Sequence, residues 1–122
     1  VDDARLGSGA WWMPWQEAAG AYGADVLGEL TGVPEARAVA LAGAKRILAD
    51  AWVREGERWV EYELQALDGR RSRSGFFTAA WLPLAVAVVL RHEPGNERAR
   101  SIWAQIVADA DGNGRWIPPE VR

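Results

Sequence analysis

The order of elements along this chain is the feature that most restricts its fold, because the same order occurs twice. Each unit opens with Trp-x-Pro-x and ends, soon after a glycine, in Arg-Trp, an aliphatic residue, two further residues and Glu. The two openings are residues 12–15 and 81–84, and the two endings are residues 58–63 and 115–120. A repeat of this kind buries its apolar face only against its neighbours. The sequence therefore predicts two tandem repeats, at residues 11–67 and 75–122.

Proline and glycine indicate where the helices of each repeat begin and end. Pro14 suits a first helical turn, Thr31-Gly32 is typical of a helix end, and Pro34 suits the next start. The predicted helices run from about Pro14 to Thr31, Pro34 to Trp52, Gly75 to His92 and Glu97 to Ala110. Helices joined by such short turns lie antiparallel, so an all-α fold of two tandem αα-hairpins is expected.

Apolar residues at three- and four-residue steps predict which helix faces are buried. In the first helix the predicted core stripe is Trp15, Ala18, Ala19, Tyr22, Val26 and Leu30. In the fourth helix it is Ala99, Ile102, Trp103, Ile106, Val107 and Ala110. The third helix is apolar on nearly every side and should be buried on both sides. Because two repeats offer little cover for it, we expect a homo-oligomer or a larger protein assembly.

The segments between and beyond the helices are shorter and differ in pattern. Residues 59–64 alternate with a period of two, which predicts a short extended strap or β-hairpin after the first repeat and, by repetition, after the second. Residues 68–74 form a basic stretch expected to be a solvated loop. Residues 1–10 are small and polar and are expected to form an N-terminal arm, with 11–122 as a single domain.

Composition excludes several classes of function. The net charge of −3 argues against nucleic-acid binding, which needs a basic excess. The absence of cysteine excludes disulfides, thiol catalysis and zinc–thiolate sites. The apolar run from Ala79 to Leu90 is too short to span a membrane, and no signal-peptide pattern opens the chain. A soluble protein of unknown compartment is expected.

Two segments carry a resemblance to a known class of helical proteins. Residues 12–32 (WMPWQEAAGAYGADVLGELTG) resemble an inner helix of an α/α-toroid, and residues 105–116 (QIVADADGNGRW) are similar to the glutamine–tryptophan turns of terpenoid cyclases. The resemblance, which extends to six-hairpin glycosidases, implies toroid-like stacking of helical hairpins and a carbohydrate as a possible ligand. The cyclase Asp-x-Asp-Asp motif is absent, because Gly112 follows Asp111.

Residues 109–120 fit the ligand positions of a calcium-binding loop of about twelve residues. Calcium prefers hard oxygen ligands, which here would come from Asp109, Asp111, Asn113, the Arg115 carbonyl and Glu120. The helix before the loop fits this motif, whereas Pro118-Pro119 leaves no helix after it. Asp-Gly-Asn-Gly is also an ordinary turn sequence, and Glu120 has a counterpart in Glu63 of the first repeat. Both a Ca²⁺ site and a simple turn stay open.

Eight tryptophans are the second candidate set. Tryptophan stacks on sugar rings and is enriched at interaction hot spots. The candidate interaction residues are Trp11, Trp12, Trp15, Trp59 and Trp116. Helical periodicity places Trp15, Trp52, Trp81 and Trp103 on core faces, and repetition makes Trp59 and Trp116 packing anchors, so only Trp11 and Trp12 lack a predicted core role.

No catalytic set emerges from the sequence. His92 is the only histidine, at a helix C-terminus where the helix dipole favours its cation, and no serine lies in a Gly-x-Ser-x-Gly motif. Carboxylate pairs could come from Glu17, Asp25, Glu29, Asp109 and Asp111. The sequence therefore favours a non-catalytic structural or interaction module that assembles through tryptophan-rich and apolar helix faces, within a larger chain or complex. The alternative is a carbohydrate-binding or carbohydrate-active fragment of an α/α-toroid protein.

Overall fold

A computed structural model describes residues 11–12, 14–62, 64–66, 69–72 and 82–109. Within these ranges the chain is mainly helical. The helices are α1 (Pro14–Thr31), α2 (Pro34–Asp50), α3 (Pro83–His92) and α4 (Glu97–Asp109). The strands are β1 (Trp11–Trp12), β2 (Trp52–Glu55), β3 (Arg58–Glu61), β4 (Leu64–Ala66) and β5 (Arg71–Ser72).

The helix starts follow the prolines, as the sequence predicts. Pro14, Pro34 and Pro83 each occupy the first turn, where the missing N–H costs no hydrogen bond. Gly32 ends α1 with φ of +74°, and its N–H donates to the Gly28 carbonyl at 2.9 Å. The predicted start of the third helix near Gly75 lies outside the described residues.

The prediction that the second helix extends to Trp52 is wrong by two residues. α2 ends at Asp50, and Trp52, which is buried, is the first residue of β2. β2 and β3 pair antiparallel from Trp52↔Glu61 to Glu55↔Arg58, with a tight turn at Gly56, whose φ is +64°. The predicted β-hairpin after the first repeat is thereby confirmed, whereas its counterpart after the second repeat lies outside the described residues.

A second small sheet joins the two ends of the first predicted repeat. β4 is its central strand, paired antiparallel with β1 through Trp11↔Ala66 and with β5 through Gln65↔Arg71. The expectation of a loop over residues 68–74 is therefore wrong at Arg71–Ser72. An edge strand pairs through its backbone and leaves its side chains free to be basic and exposed, so polarity alone does not distinguish it from a loop.

The core lies where α1, α2 and α3 pack against one another, with α4 packed on α3. The α1–α2 contact is built from small residues, which let the two helices approach closely. Its buried members include Ala18, Ala21, Ala40 and Ala44. In α3, the fully buried residues Ala85, Val86, Val88 and Val89 lie within about 160° of arc, at about 100° per residue. Leu84, Ala87 and Leu90 are only partly buried, so the expected burial on both sides is met on one face of the helix.

The predicted core stripe of the first helix is confirmed at Ala18 and wrong at Tyr22 and Leu30. Tyr22 and Leu30 are exposed, and the buried face instead carries Ala18, Ala21, Asp25 and Gly28. The reason is that close packing against α2 selects small side chains, while Asp25 is buried by partners on α3. In α4, Trp103 and Val107 are likewise exposed, although Ala99 and Ile102 are buried as expected.

Gly28 lets the stem of Arg37 lie directly on the backbone of α1. A Cβ at residue 28 would stand 2.6 Å from Arg37 Cγ and 3.2 Å from Ala36 Cβ and the Arg37 backbone nitrogen. We expect Gly28→Ala to lower the free energy of unfolding by about 1 kcal/mol, because the clash outweighs the gain in helix propensity. Thermal denaturation of dilute protein measures this change in the free energy of unfolding.

Gly20 and Gly23 supply matched controls for this prediction. A Cβ at either position meets no atom of the described residues within 4 Å. Their alanine variants should therefore gain up to about 1 kcal/mol of stability from helix propensity. Equal shifts for all three alanine variants would show that the Arg37 contact does not constrain residue 28.

The β2–β3 hairpin is held against α4 by side chains of both elements. The Trp59 backbone N–H donates to Gln105 Oε1 at 2.7 Å, and Gln105 Nε2 donates to the Trp59 carbonyl at 2.8 Å. The Trp59 indole N–H donates to Ser101 Oγ at 2.8 Å. Trp59 thus packs as an anchor between the hairpin and α4, as the sequence predicts.

Arg98 of α4 joins the same hairpin to the end of α2. Its guanidinium donates to the carbonyls of Leu48 at 2.6 Å, Ala49 at 3.3 Å and Trp52 at 2.8 Å. It also lies 4.7 Å from the centre of the Trp59 ring. The last carbonyls of a helix have no partner within the helix, so Arg98 satisfies groups that α2 itself leaves open.

Candidate functional site

The side of α1 that points away from the core carries Gly20, Gly23, Leu27 and Leu30, which we call the outer face. At roughly 100° per residue these four positions lie within about 80° of arc, opposite the buried Ala21 and Asp25. Leu27 is 60% exposed and Leu30 is 77% exposed. The outer face is therefore an apolar surface with two glycines towards its N-terminal end and two leucines towards its C-terminal end.

Every charged residue of α1 lies away from the outer face. Glu17 forms an ion pair with Arg46 of α2 at 3.8 Å, and Glu29 forms one with Arg91 of α3. Asp25 is fully buried on the inner side. Placing all three carboxylates beside the neighbouring helices leaves the outer face without charge.

Packing among the described residues does not require the two outer glycines. Unlike Gly28, each has open space where a Cβ would stand. Glycine inside a helix costs about 1 kcal/mol relative to alanine. A glycine pair that the described fold does not need is consistent with close approach by something outside it.

The inner side of α1 carries a polar cluster centred on Asp25. Its Oδ1 lies 2.6 Å from His92 Nε2, and its Oδ2 lies 3.4 Å from an Arg91 terminal nitrogen. Arg37 of α2 brings its Nε to 3.9 Å from Oδ1. Buried carboxylates are tolerated when they are paired in this way, and the cluster ties α1 to both neighbouring helices.

The cluster has a direct consequence for the outer face. Asp25 must point inward to reach His92 and Arg91, which sets the rotation of α1 about its own axis. Leu27, two residues further along, then points almost directly outward. The ion pairs on the inner side and the apolar surface on the outer side are thus two results of one helix orientation.

A shallow cleft of about 250 Å³ lies beside the cluster, lined by Pro34, Arg37, Ala38, Leu41 and His92. A histidine held by a buried carboxylate resembles the orienting pair of many hydrolases. Among the residues that the structure describes, the lining holds no serine, threonine or carboxylate that could act beside it. We therefore assign the Asp25–His92 contact to holding the helices together.

Lys45 and Glu93 fasten α2 to the end of α3 near this cleft. The Lys45 ammonium donates to a Glu93 carboxylate oxygen at 3.0 Å. This hydrogen bond, together with one from Asn96, lowers the pKa of Glu93 below its ordinary value. The interaction therefore contributes fully to the stability of the fold above the ordinary pKa of glutamate. This contribution is lost as the pH falls through the lowered pKa of Glu93.

The residues proposed as calcium ligands fall mostly beyond the described part of the chain. Asp111, Asn113, Arg115 and Glu120 lie outside it. Asp109 is the last residue of α4, and its Oδ2 accepts a hydrogen bond from an Arg58 terminal nitrogen at 2.8 Å. The residues that the structure describes bring together no three histidine, aspartate or glutamate side chains suited to a metal. The Ca²⁺ site stays a prediction.

The candidate tryptophans are only partly brought together. Trp59 is half-buried against α4, as described above. The backbones of Trp11 and Trp12 lie in β1 and that of Trp15 in α1, whereas their side chains, and all of Trp116 and Trp81, lie outside the described residues. Leu27, which sequence reasoning missed, was detectable only as an apolar residue outside the predicted core stripe.

Comparisons with protein-family models, curated proteins and solved structures give no match to this chain. None of the helices in the described ranges combines the length and the apolar character needed to cross a membrane.

Proposed function

We propose that this chain is a non-catalytic interaction module that binds another protein surface through the outer face of α1. The observation that carries the proposal is the segregation of charge on this helix. Glu17, Asp25 and Glu29 all pair with neighbouring helices, and Leu27 and Leu30 are left exposed on the other side. Contiguous apolar patches on a protein surface are typical of binding sites.

The energetic argument rests on the two leucines. Complete burial of a leucine side chain contributes roughly 1.5–3 kcal/mol, and both side chains are more than half exposed. Covering them would therefore favour binding by about 1–2 kcal/mol each. Glycines beside them reduce the side-chain entropy lost on binding, because glycine has no side chain to order.

The proposal predicts that the outer face binds an apolar fluorescent dye in dilute protein. Leu27→Gln/Leu30→Gln should reduce the dye fluorescence several-fold, because it removes the apolar surface. Its melting temperature should stay within about 2 °C of the parent value, since exposed substitutions rarely alter the free energy of unfolding by more than about 0.5 kcal/mol.

Val39→Gln is the matched control, because Val39 of α2 is also apolar and is 70% exposed. It should leave the dye fluorescence close to that of the parent. An equal loss of fluorescence in both variants, or no loss in the double variant, would contradict an apolar binding surface on α1.

A further inference from the structure

The glycines and leucines of the outer face are spaced so that each leucine faces a glycine when two copies of the helix run antiparallel. Its glycines are three residues apart, its leucines are three residues apart, and four residues separate Gly23 from Leu27. When a second copy of the helix runs antiparallel with residue 25 opposite residue 25, Leu27 meets Gly23 of the other copy. The same register places Leu30 opposite Gly20.

We propose that the surface bound by the outer face is the outer face of a second copy of this chain, in an antiparallel dimer. The inference rests on the proposed function and names its partner. A twofold axis would cross the outer face at the height of residue 25. Each contact then occurs twice, as closed dimers require.

Shape favours this arrangement over a parallel one. A leucine side chain needs space on the facing helix, and each glycine provides it because no Cβ stands there. Helix axes normally lie about 8–10 Å apart, with small residues at the contact giving the shorter distances. A parallel pair would set leucine against leucine and glycine against glycine, leaving gaps beside crowded positions.

Charge favours a second copy as well. A self-association interface brings identical groups together, so exposed carboxylates near the axis would repel one another. The carboxylates of α1 are instead turned towards Arg46 and Arg91. The helix is about 27 Å long and only its outer face takes part, so the interface is smaller than that of standard stable complexes and the dimer should be weak and concentration-dependent.

Cysteine pairing tests the register directly, because the chain has no cysteine of its own. Two single-cysteine proteins are mixed and oxidised, and the mixed dimer is measured on a non-reducing gel. Gly23→Cys with Leu27→Cys, and Gly20→Cys with Leu30→Cys, should cross-link roughly tenfold faster than mismatched pairs, since a disulfide needs Cα atoms within about 7 Å.

The mismatched pairs are Gly20→Cys with Leu27→Cys and Gly23→Cys with Leu30→Cys, whose partners are displaced by about 4.5 Å along the axis. Equal rates for matched and mismatched pairs would overturn the register. Rapid cross-linking of Gly23→Cys with itself would instead show a parallel pair and would equally overturn the proposal.

Sedimentation of Gly23→Leu provides a second measurement that does not depend on cysteine. No described atom lies within 4 Å of a Cβ at residue 23, so the helix content should be retained, whereas the dissociation constant of the dimer should rise at least about tenfold. If the parent binds the apolar dye but sediments as a monomer at every concentration, the interaction module stands and the second copy is excluded as its partner. If the parent protein neither binds the dye nor dimerises, the proposed function is contradicted as well.

Discussion

Replacing Asp25 by alanine should lower the free energy of unfolding by about 3 kcal/mol. The carboxylate is fully buried and pairs with His92 and Arg91, so its removal leaves His92 without this acceptor and Arg91 with Glu29 as its remaining carboxylate partner. Removing one member of a buried ion pair costs about 3–5 kcal/mol, and the lower end applies because Arg91 is about one-third exposed to solvent. Urea denaturation followed by circular dichroism measures the change.

Two variants make the Asp25 result specific. Asp25→Asn keeps an oxygen that accepts a hydrogen bond from His92 and should lose less stability than the alanine variant. Glu29→Ala removes another carboxylate bound to Arg91, but an exposed one, and should alter the free energy of unfolding by about 0.5 kcal/mol or less. A cost for Asp25→Ala no larger than that for Glu29→Ala would show that the buried cluster does not hold α1 in place.

Replacing Arg98 by alanine should lower the free energy of unfolding by about 2 kcal/mol. The variant loses the hydrogen bonds to the Leu48, Ala49 and Trp52 carbonyls and the stacking on Trp59. Hydrogen bonds to charged groups contribute about 1.5–3 kcal/mol in buried settings, and partial exposure reduces their sum here. Thermal denaturation measures the loss of stability.

Arg98→Lys separates the charge of this residue from its geometry. A lysine ammonium lacks the planar fork that reaches several carbonyls, so this variant should recover less than half of the lost stability. Arg100→Ala removes a charge from an exposed position of the same helix and should be nearly neutral. Equal effects of Arg98→Ala and Arg100→Ala would contradict the role of Arg98 in joining α2 to the hairpin.

The helices could be predicted from the sequence because their boundaries depend on local chemistry. Pro14 and Pro34 favour helix starts through their fixed φ, and Gly32 favours a helix end through its positive φ. The β2–β3 hairpin was detectable in the same way, from a period of two beside Gly56. These signals operate over a few residues and need no information about distant partners.

The buried face of α1 could not be predicted, because it depends on residues far along the chain. Periodicity favours Tyr22 and Leu30 as core residues, since both are large and apolar. The structure buries Asp25 instead, because His92 lies 67 positions away in sequence and 2.6 Å away in space. A hydrophobic pattern assigns carboxylates to solvent and has no means of recognising a partner on another helix.

The candidate site was missed for the same reason. Once Asp25 defines the inner side, Leu27 and Gly20 are exposed and Gly23 is half-buried, and none of them belongs to a recognised motif. Asp109 shows the converse. The calcium-loop pattern favours its carboxylate as a metal ligand, which stays a prediction, and gives no sign of the hydrogen bond that this carboxylate accepts from Arg58 of the hairpin, 51 positions earlier. Short motifs identify suitable ligands but do not reveal competing partners.

The pairing of Trp11 with Ala66 has a consequence for how such a chain could change during evolution. It places the backbone that enters the first helical unit beside the backbone that leaves it, about 4.8 Å apart as in any sheet. Chain ends that lie this close together are the positions at which insertions and circular permutations are tolerated, because joining or extending them there leaves the packed helices in place. The small sheet formed by β1 and β4 therefore offers a point at which the chain could gain residues without disturbing the contacts of α1 and α2 with α3.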